Sequence, residues 1–209
     1  IKDIIKRWKY FYKAKGWDRF GRFNLKGDFN VPYILFKAKN VTDRKVREEK
    51  IFKVRPIAPG TKHPMKTCLG KAGRAWYFIA ENIGLDRFTI PKVNEIPKIL
   101  HGFSEHMKSQ KTGYDIHIYD IEGCFPHMPK EAMLMAMREA ITILNNKGKE
   151  GVWIPNTRTK SCSWDKGICN GTWIPLEVLG DIYKFAIENC FIKMPNGTIW
   201  KQILGIPMG

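Results

Sequence analysis

Asp120 closes the alternating run Tyr114-Asp-Ile-His-Ile-Tyr-Asp120, which reads as a strand with Ile116 and Ile118 on the same face as Asp120. A carboxylate delivered at the end of a core strand suits a hard divalent cation, and the adjacent carbonyl of Ile121 offers a further oxygen. Upstream, Tyr33 to Lys39 and Ile51 to Ile57 read as two strands of a hairpin. Period-two alternation places Lys37 and Lys39 on one face of the first strand and Lys53 with Arg55 on one face of the second. Such a cationic face is able to neutralise phosphates. A third segment, Gln202-Ile-Leu-Gly-Ile-Pro-Met-Gly209, holds two glycines around Pro207, a pattern that lets main chain approach a ligand closely. Taken singly, each has a plainer reading: a turn aspartate, a solvated charge, a simple loop.

The elements that must position these groups are legible from periodicity. Residues 1–15 form a basic helix with Ile4, Ile5, Trp8, Phe11 and Tyr12 on one stripe, ended by Gly16. Further helices are expected over Lys71 to Ile83, around Ile99 to Lys108, over Lys130 to Leu144 with Pro129 as first helical residue, and over Pro175 to Phe191. The methionines of the Lys130 helix are expected in the core. Ile192 to Trp200 reads as a hairpin turned at Asn196-Gly197. Gly148 to Thr172 is polar and Gly- and Trp-containing, and periodicity assigns it no shape; Cys162 and Cys169 within it lack the spacing and second pair of a zinc site.

Composition narrows the function. The chain has 209 residues, 44% hydrophobic, enough for a sizeable core, and a net charge of +16. Residues 1–110 hold 25 Lys and Arg against 10 Asp and Glu, or +15, whereas residues 111–209 carry +1. The first half is therefore a polyanion-binding candidate. Its aromatics, Trp8, Tyr10, Phe11, Tyr12, Trp17, Phe20 and Phe23, fit either a nucleic-acid-binding or a packed helical segment. No apolar run reaches the length of a membrane span and no secretory leader is visible. Five irregularly spaced cysteines point to a reducing, intracellular compartment. Lys-, Ile- and Asn-rich usage hints at an organelle such as the mitochondrion. Phosphate-binding loops, nucleophile elbows and paired metal-binding histidines are missing, which removes nucleotide-switch and hydrolase readings.

Read in order, Lys53-Val-Arg-Pro-Ile57, Tyr119-Asp-Ile-Glu-Gly-Cys-Phe-Pro126 and Gly205-Ile-Pro-Met-Gly209 resemble the ordered blocks of reverse transcriptases, RNA-directed DNA polymerases, especially those of mobile and organellar elements. The resemblance implies an α+β fold of right-hand polymerase type, with a basic N-terminal helix and fingers over residues 1–110 and the first half of the palm, an antiparallel sheet with packed helices, over 111–209. An insertion is expected at about 148–172.

The same resemblance implies roles. Asp120 is the catalytic carboxylate and, with the Ile121 carbonyl, a ligand of Mg2+ or Mn2+. Lys37, Lys39, Lys53 and Arg55 hold the triphosphate. Phe125 lies beneath the sugar and excludes a 2′-hydroxyl, whereas an RNA-copying polymerase would be expected to carry a polar residue there. Gln202, Pro207, Met208 and Gly209 line nucleotide and template; Met208 stands where related enzymes often carry Gln, which removes a possible hydrogen bond. The implied partners are an RNA template, a DNA primer and deoxynucleoside triphosphates, with no membrane. The family's next block, bearing adjacent aspartates, and the thumb would lie beyond Gly209. The chain, which opens on Ile, is thus expected to be part of a longer product and to act only when joined to a C-terminal portion in the same or another chain. The alternative is a derivative without catalysis that serves as a basic RNA-binding component of a larger ribonucleoprotein.

Overall fold

The structure, a computed structural model, describes residues 1–29, 31–36, 54–84, 93–110, 117, 119, 124–167 and 170–205, with backbone alone at 36, 54–56, 93 and 126. In chain order the elements are α1 Lys2–Ala14, β1 Tyr33–Phe36, β2 Val54–Ile57, α2 Lys66–Asn82, α3 Ile96–Gln110, α4 Cys124–His127, α5 Lys130–Asn146, β3 Gly151–Pro155, β4 Gly171–Pro175, α6 Leu176–Glu188, β5 Phe191–Lys193 and β6 Ile199–Lys201. The strands pair in antiparallel twos, β1 with β2, β3 with β4 and β5 with β6. By compactness the chain divides into Ile1–Ile83 with Gly123–Gly209, and Gly84–Glu122. The smaller unit contributes α3, which leaves none of its residues buried.

In the larger unit, the apolar stripe of α1 does what its spacing implies. Ile5, Trp8 and Tyr12 are buried, and Gly16, with φ of 63°, turns the chain so that Trp17 enters the same core. Trp8 packs edge-on to Phe29 and Phe185 at 5.2 and 5.3 Å. Trp8, Tyr12, Trp17 and Phe20 are therefore core, while Tyr10 on the same helix as Trp8 and Tyr12 is 83% exposed. The packed-helix reading of this segment holds.

Helix α2 begins at Lys66, five residues earlier than expected, with Met65 as its N-cap and no side-chain cap on the first turn. The Met65 N–H donates to His63 Nδ1 at 3.1 Å. His63 also lies against the rings of Trp8 and Phe29, and burial pulls its pKa from 6.5 down to about 4. Between those values the unfolded chain binds a proton that the folded one refuses, so stability present above pH 6.5 is lost as pH falls toward 4. The Lys193 ammonium, 2.9 Å from Asp28, lowers that carboxyl's pKa and adds loss at still lower pH. Urea midpoints at pH 7 and pH 4.5 should thus differ by the equivalent of roughly 2 kcal/mol through His63, and His63→Phe should flatten that slope.

Pro129 precedes α5 rather than opening it: with ψ of 131° it is the N-cap, and its carbonyl accepts the first helical bond from Met133. Met133 and Met137 are core as expected, while Met135 is 66% exposed. The stretch left without a shape carries the third strand pair's larger counterpart, β3 and β4. Val152, Ile154 and Ile174 are fully buried against α2 and α6, so its ends belong to the main core. Trp153 and Trp173 face each other in register, and each covers a strand-end glycine: a Cβ at Gly171 would lie 2.6 Å from Trp153, and one at Gly151 2.7 Å from Trp173. Helix α6 begins after Pro175 and ends at Glu188. The β5–β6 hairpin turns at Gly197, φ 85°, as Asn196-Gly197 requires.

Candidate active site

The first block forms the base of a hairpin. Tyr33 pairs with Ile57, and Leu35 with Arg55, so Arg55 shares a face with Leu35. Tyr33, Ile34 and Leu35 are all at least half exposed. Lys37, Lys39 and Lys53, expected beside Arg55, lie outside the described residues.

For the second block, His117 and Tyr119 stack with ring centroids 6.3 Å apart, and both are exposed. Asp120 and Ile121, with most of the expected strand, lie outside the described residues. Phe125 is described. It sits on the single turn α4 with its ring 49% exposed, unused by the core.

The third block leaves β6 and returns to the residues that follow the second. Gln202 N–H donates to Cys190 O at 2.9 Å, and Gly205 N–H donates to Met128 O at 3.0 Å. The Lys130 ammonium donates to the Gln202 carbonyl. Gly205 is buried with φ of 72°, a conformation that favours glycine and lets the chain fold back onto Met128. The side-chain amide of Gln202 donates to Leu204 O at 3.0 Å, so it is engaged locally. Pro207, Met208 and Gly209 lie outside the described residues. Segments more than seventy positions apart are thereby joined: Phe125 lies three residues before Met128, and Gly205 opens the Gly-Ile-Pro-Met-Gly run.

The local field is positive. Burial pushes the Cys190 thiol's pKa up, and the nearby ammonium groups of Lys130 and Lys201 act against that rise. These two cations favour an anion beside Cys190 over a cation. Among the described residues no group of His, Cys, Asp or Glu is arranged to hold a metal ion. Of the Cys162 and Cys169 pair, Cys162 points its thiol to Arg74 O at 3.9 Å and Cys169 lies outside the described residues. Also among the described residues, no helix is long and apolar enough to cross a membrane.

No family model, curated protein or solved structure matches this chain. The site therefore rests on its own geometry and chemistry.

Lys130 is the residue of this arrangement that motif reading passed over. Its signal is a cation in the first turn of α5, where the helix dipole disfavours positive charge. The position becomes intelligible once the ammonium is seen bound to the Gln202 carbonyl.

Proposed function

We propose that this chain is the fingers and first half of the palm of a reverse transcriptase, which adds deoxynucleotides to a primer on an RNA template and requires a downstream palm and thumb portion for activity. The observation that carries the reading is the tie between the residues just after its second block and the start of its third, Gly205 to Met128 and Lys130 to Gln202. The antiparallel register that sets Arg55 within the basic hairpin supports it further.

In this reading the Asp120 carboxylate and the Ile121 carbonyl hold Mg2+ or Mn2+, hard ions that suit such oxygen donors, and the bound ions would supply charge stabilisation for phosphoryl transfer. The protein's own groups do the positioning. Arg55, with Lys37, Lys39 and Lys53, neutralises the triphosphate and holds it in line. Gly205, Pro207, Met208 and Gly209 bring main chain against nucleotide and template, with Gln202 engaged in holding the approach. Phe125, exposed and without a core role, presents its ring to the sugar. The chain acts inside the cell, and an organelle such as the mitochondrion suits its Lys-, Ile- and Asn-rich usage.

Phe125 gives the test. In primer extension by the chain joined to its downstream portion, wild type should use deoxynucleotides far better than ribonucleotides, and Phe125→Ala should raise relative ribonucleotide use by about tenfold or more, since a steric gate is worth a few kcal/mol. Unchanged discrimination would remove Phe125 from the sugar.

The +15 first half favours a second reading, a non-catalytic RNA-binding component of a larger ribonucleoprotein. It predicts tight RNA binding by a protein that makes no DNA.

A further inference from the structure

We propose that a groove between α2 and residues 155–162 binds single-stranded nucleic acid along its phosphodiester backbone. It has a volume of about 1080 Å³ and is lined by Lys66, Lys71, Arg74, Arg158 and Lys160 against one carboxylate, Glu81. None of these residues belongs to the three blocks, and the proposal stands whether or not the chain polymerises DNA.

The cations divide by task. Arg74 braces the outer wall, its guanidinium donating to Pro155 O at 2.7 Å and Lys160 O at 2.9 Å. Lys71 donates to Thr172 Oγ1 at 2.6 Å, and burial lowers its pKa. Both therefore shape the groove while keeping its field positive. Lys66, Arg158 and Lys160 are exposed and have no ion-pair partner among the described residues. Three unpaired cations on two walls of one furrow match a ligand whose charges repeat, as those of a phosphodiester chain do.

The floor is low. Gly70 and Gly73 sit in the middle of α2, where glycine weakens a helix relative to alanine, and a Cβ at either would meet nothing within 4 Å. Packing against protein therefore does not account for them, whereas close approach of a backbone to the helix does. Tyr77, 66% exposed, lines the groove, and the Glu81 carboxylate one turn on raises its pKa. An exposed ring there offers a face for an unpaired base, which is the reason for a single strand over a duplex. An enclosed apolar pocket for a small molecule would be lined differently. A lipid surface would call for an apolar face between the charges.

The test is fluorescence anisotropy with a labelled oligouridylate across a salt series. Arg158→Glu with Lys160→Glu should weaken binding at least about tenfold and flatten the salt dependence by about 1.4 in log K per log salt, two single-strand phosphate contacts' worth. Lys2→Glu with Lys6→Glu, exposed on α1 and equal in charge change, should move it far less. Gly70→Ala with Gly73→Ala should raise the melting temperature yet weaken binding, an opposition that a purely structural role does not produce. Equal losses from the groove and α1 pairs would overturn the proposal, as would tighter binding of a duplex than of the single strand.

Discussion

Replacing Asp120 with Asn in the chain joined to its downstream portion is expected to cut deoxynucleotide incorporation about a thousandfold or more while leaving RNA affinity within about twofold. The substitution keeps the side chain's shape and removes its charge. A carboxylate that holds a divalent ion supports several kcal/mol of transition-state charge, and about 4 kcal/mol is three decades of rate at 1.36 kcal/mol each. Affinity for RNA is a separate property, set by the +15 carried on residues 1–110, to which Asp120 does not belong. Single-turnover primer extension and filter binding on the same preparations separate the two. A mutant extending primers at a tenth of the wild-type rate would deny Asp120 its proposed role.

Trp17→Ala should destabilise the fold by about 3–5 kcal/mol, the range for truncating a large buried aromatic. Trp17 is 1% exposed and sits edge-on to Phe11, Tyr12 and Phe185 at 5.3, 6.1 and 5.6 Å. Removing the indole takes from α1 and α6 the ring that both pack against. The Lys15–Asp181 ion pair ties the residue after α1 to α6 at 2.8 Å, but its side chains are nearly half exposed and it contributes under about 1 kcal/mol. Urea unfolding should show the midpoint fall sharply with little change in slope. A loss below about 1 kcal/mol would mean that the basic N-terminal helix is not anchored by this cluster.

What periodicity revealed and what it hid follow from range. The α1 stripe and the Asn196-Gly197 hairpin are local patterns, and both formed as their spacing dictates. The start of α2 was hidden because its N-cap is Met65, not a Ser, Thr, Asp or Asn, and because the polar and glycine positions before Lys71 interrupt the apolar period. The β3–β4 pair was hidden by its glycines and tryptophans, which read as a loop until each indole is placed over the opposite glycine. Within the candidate site, residue types were legible where placement was not. Phe125 carried a recognisable spacing, but nothing local announces that Gly205 will bond to Met128, or that Lys130 will hold the Gln202 carbonyl. Such ties depend on tertiary partners, and a first-turn lysine is their only trace in the sequence.

The most direct measurement of the central claim is deoxythymidylate incorporation on a polyriboadenylate template primed with oligodeoxythymidylate, by the chain joined to its downstream portion. The reverse-transcriptase reading predicts synthesis that depends on the template, the primer and Mg2+ or Mn2+ together. Tight binding of the template with no incorporation at any concentration of either ion would contradict it and leave the RNA-binding role in its place.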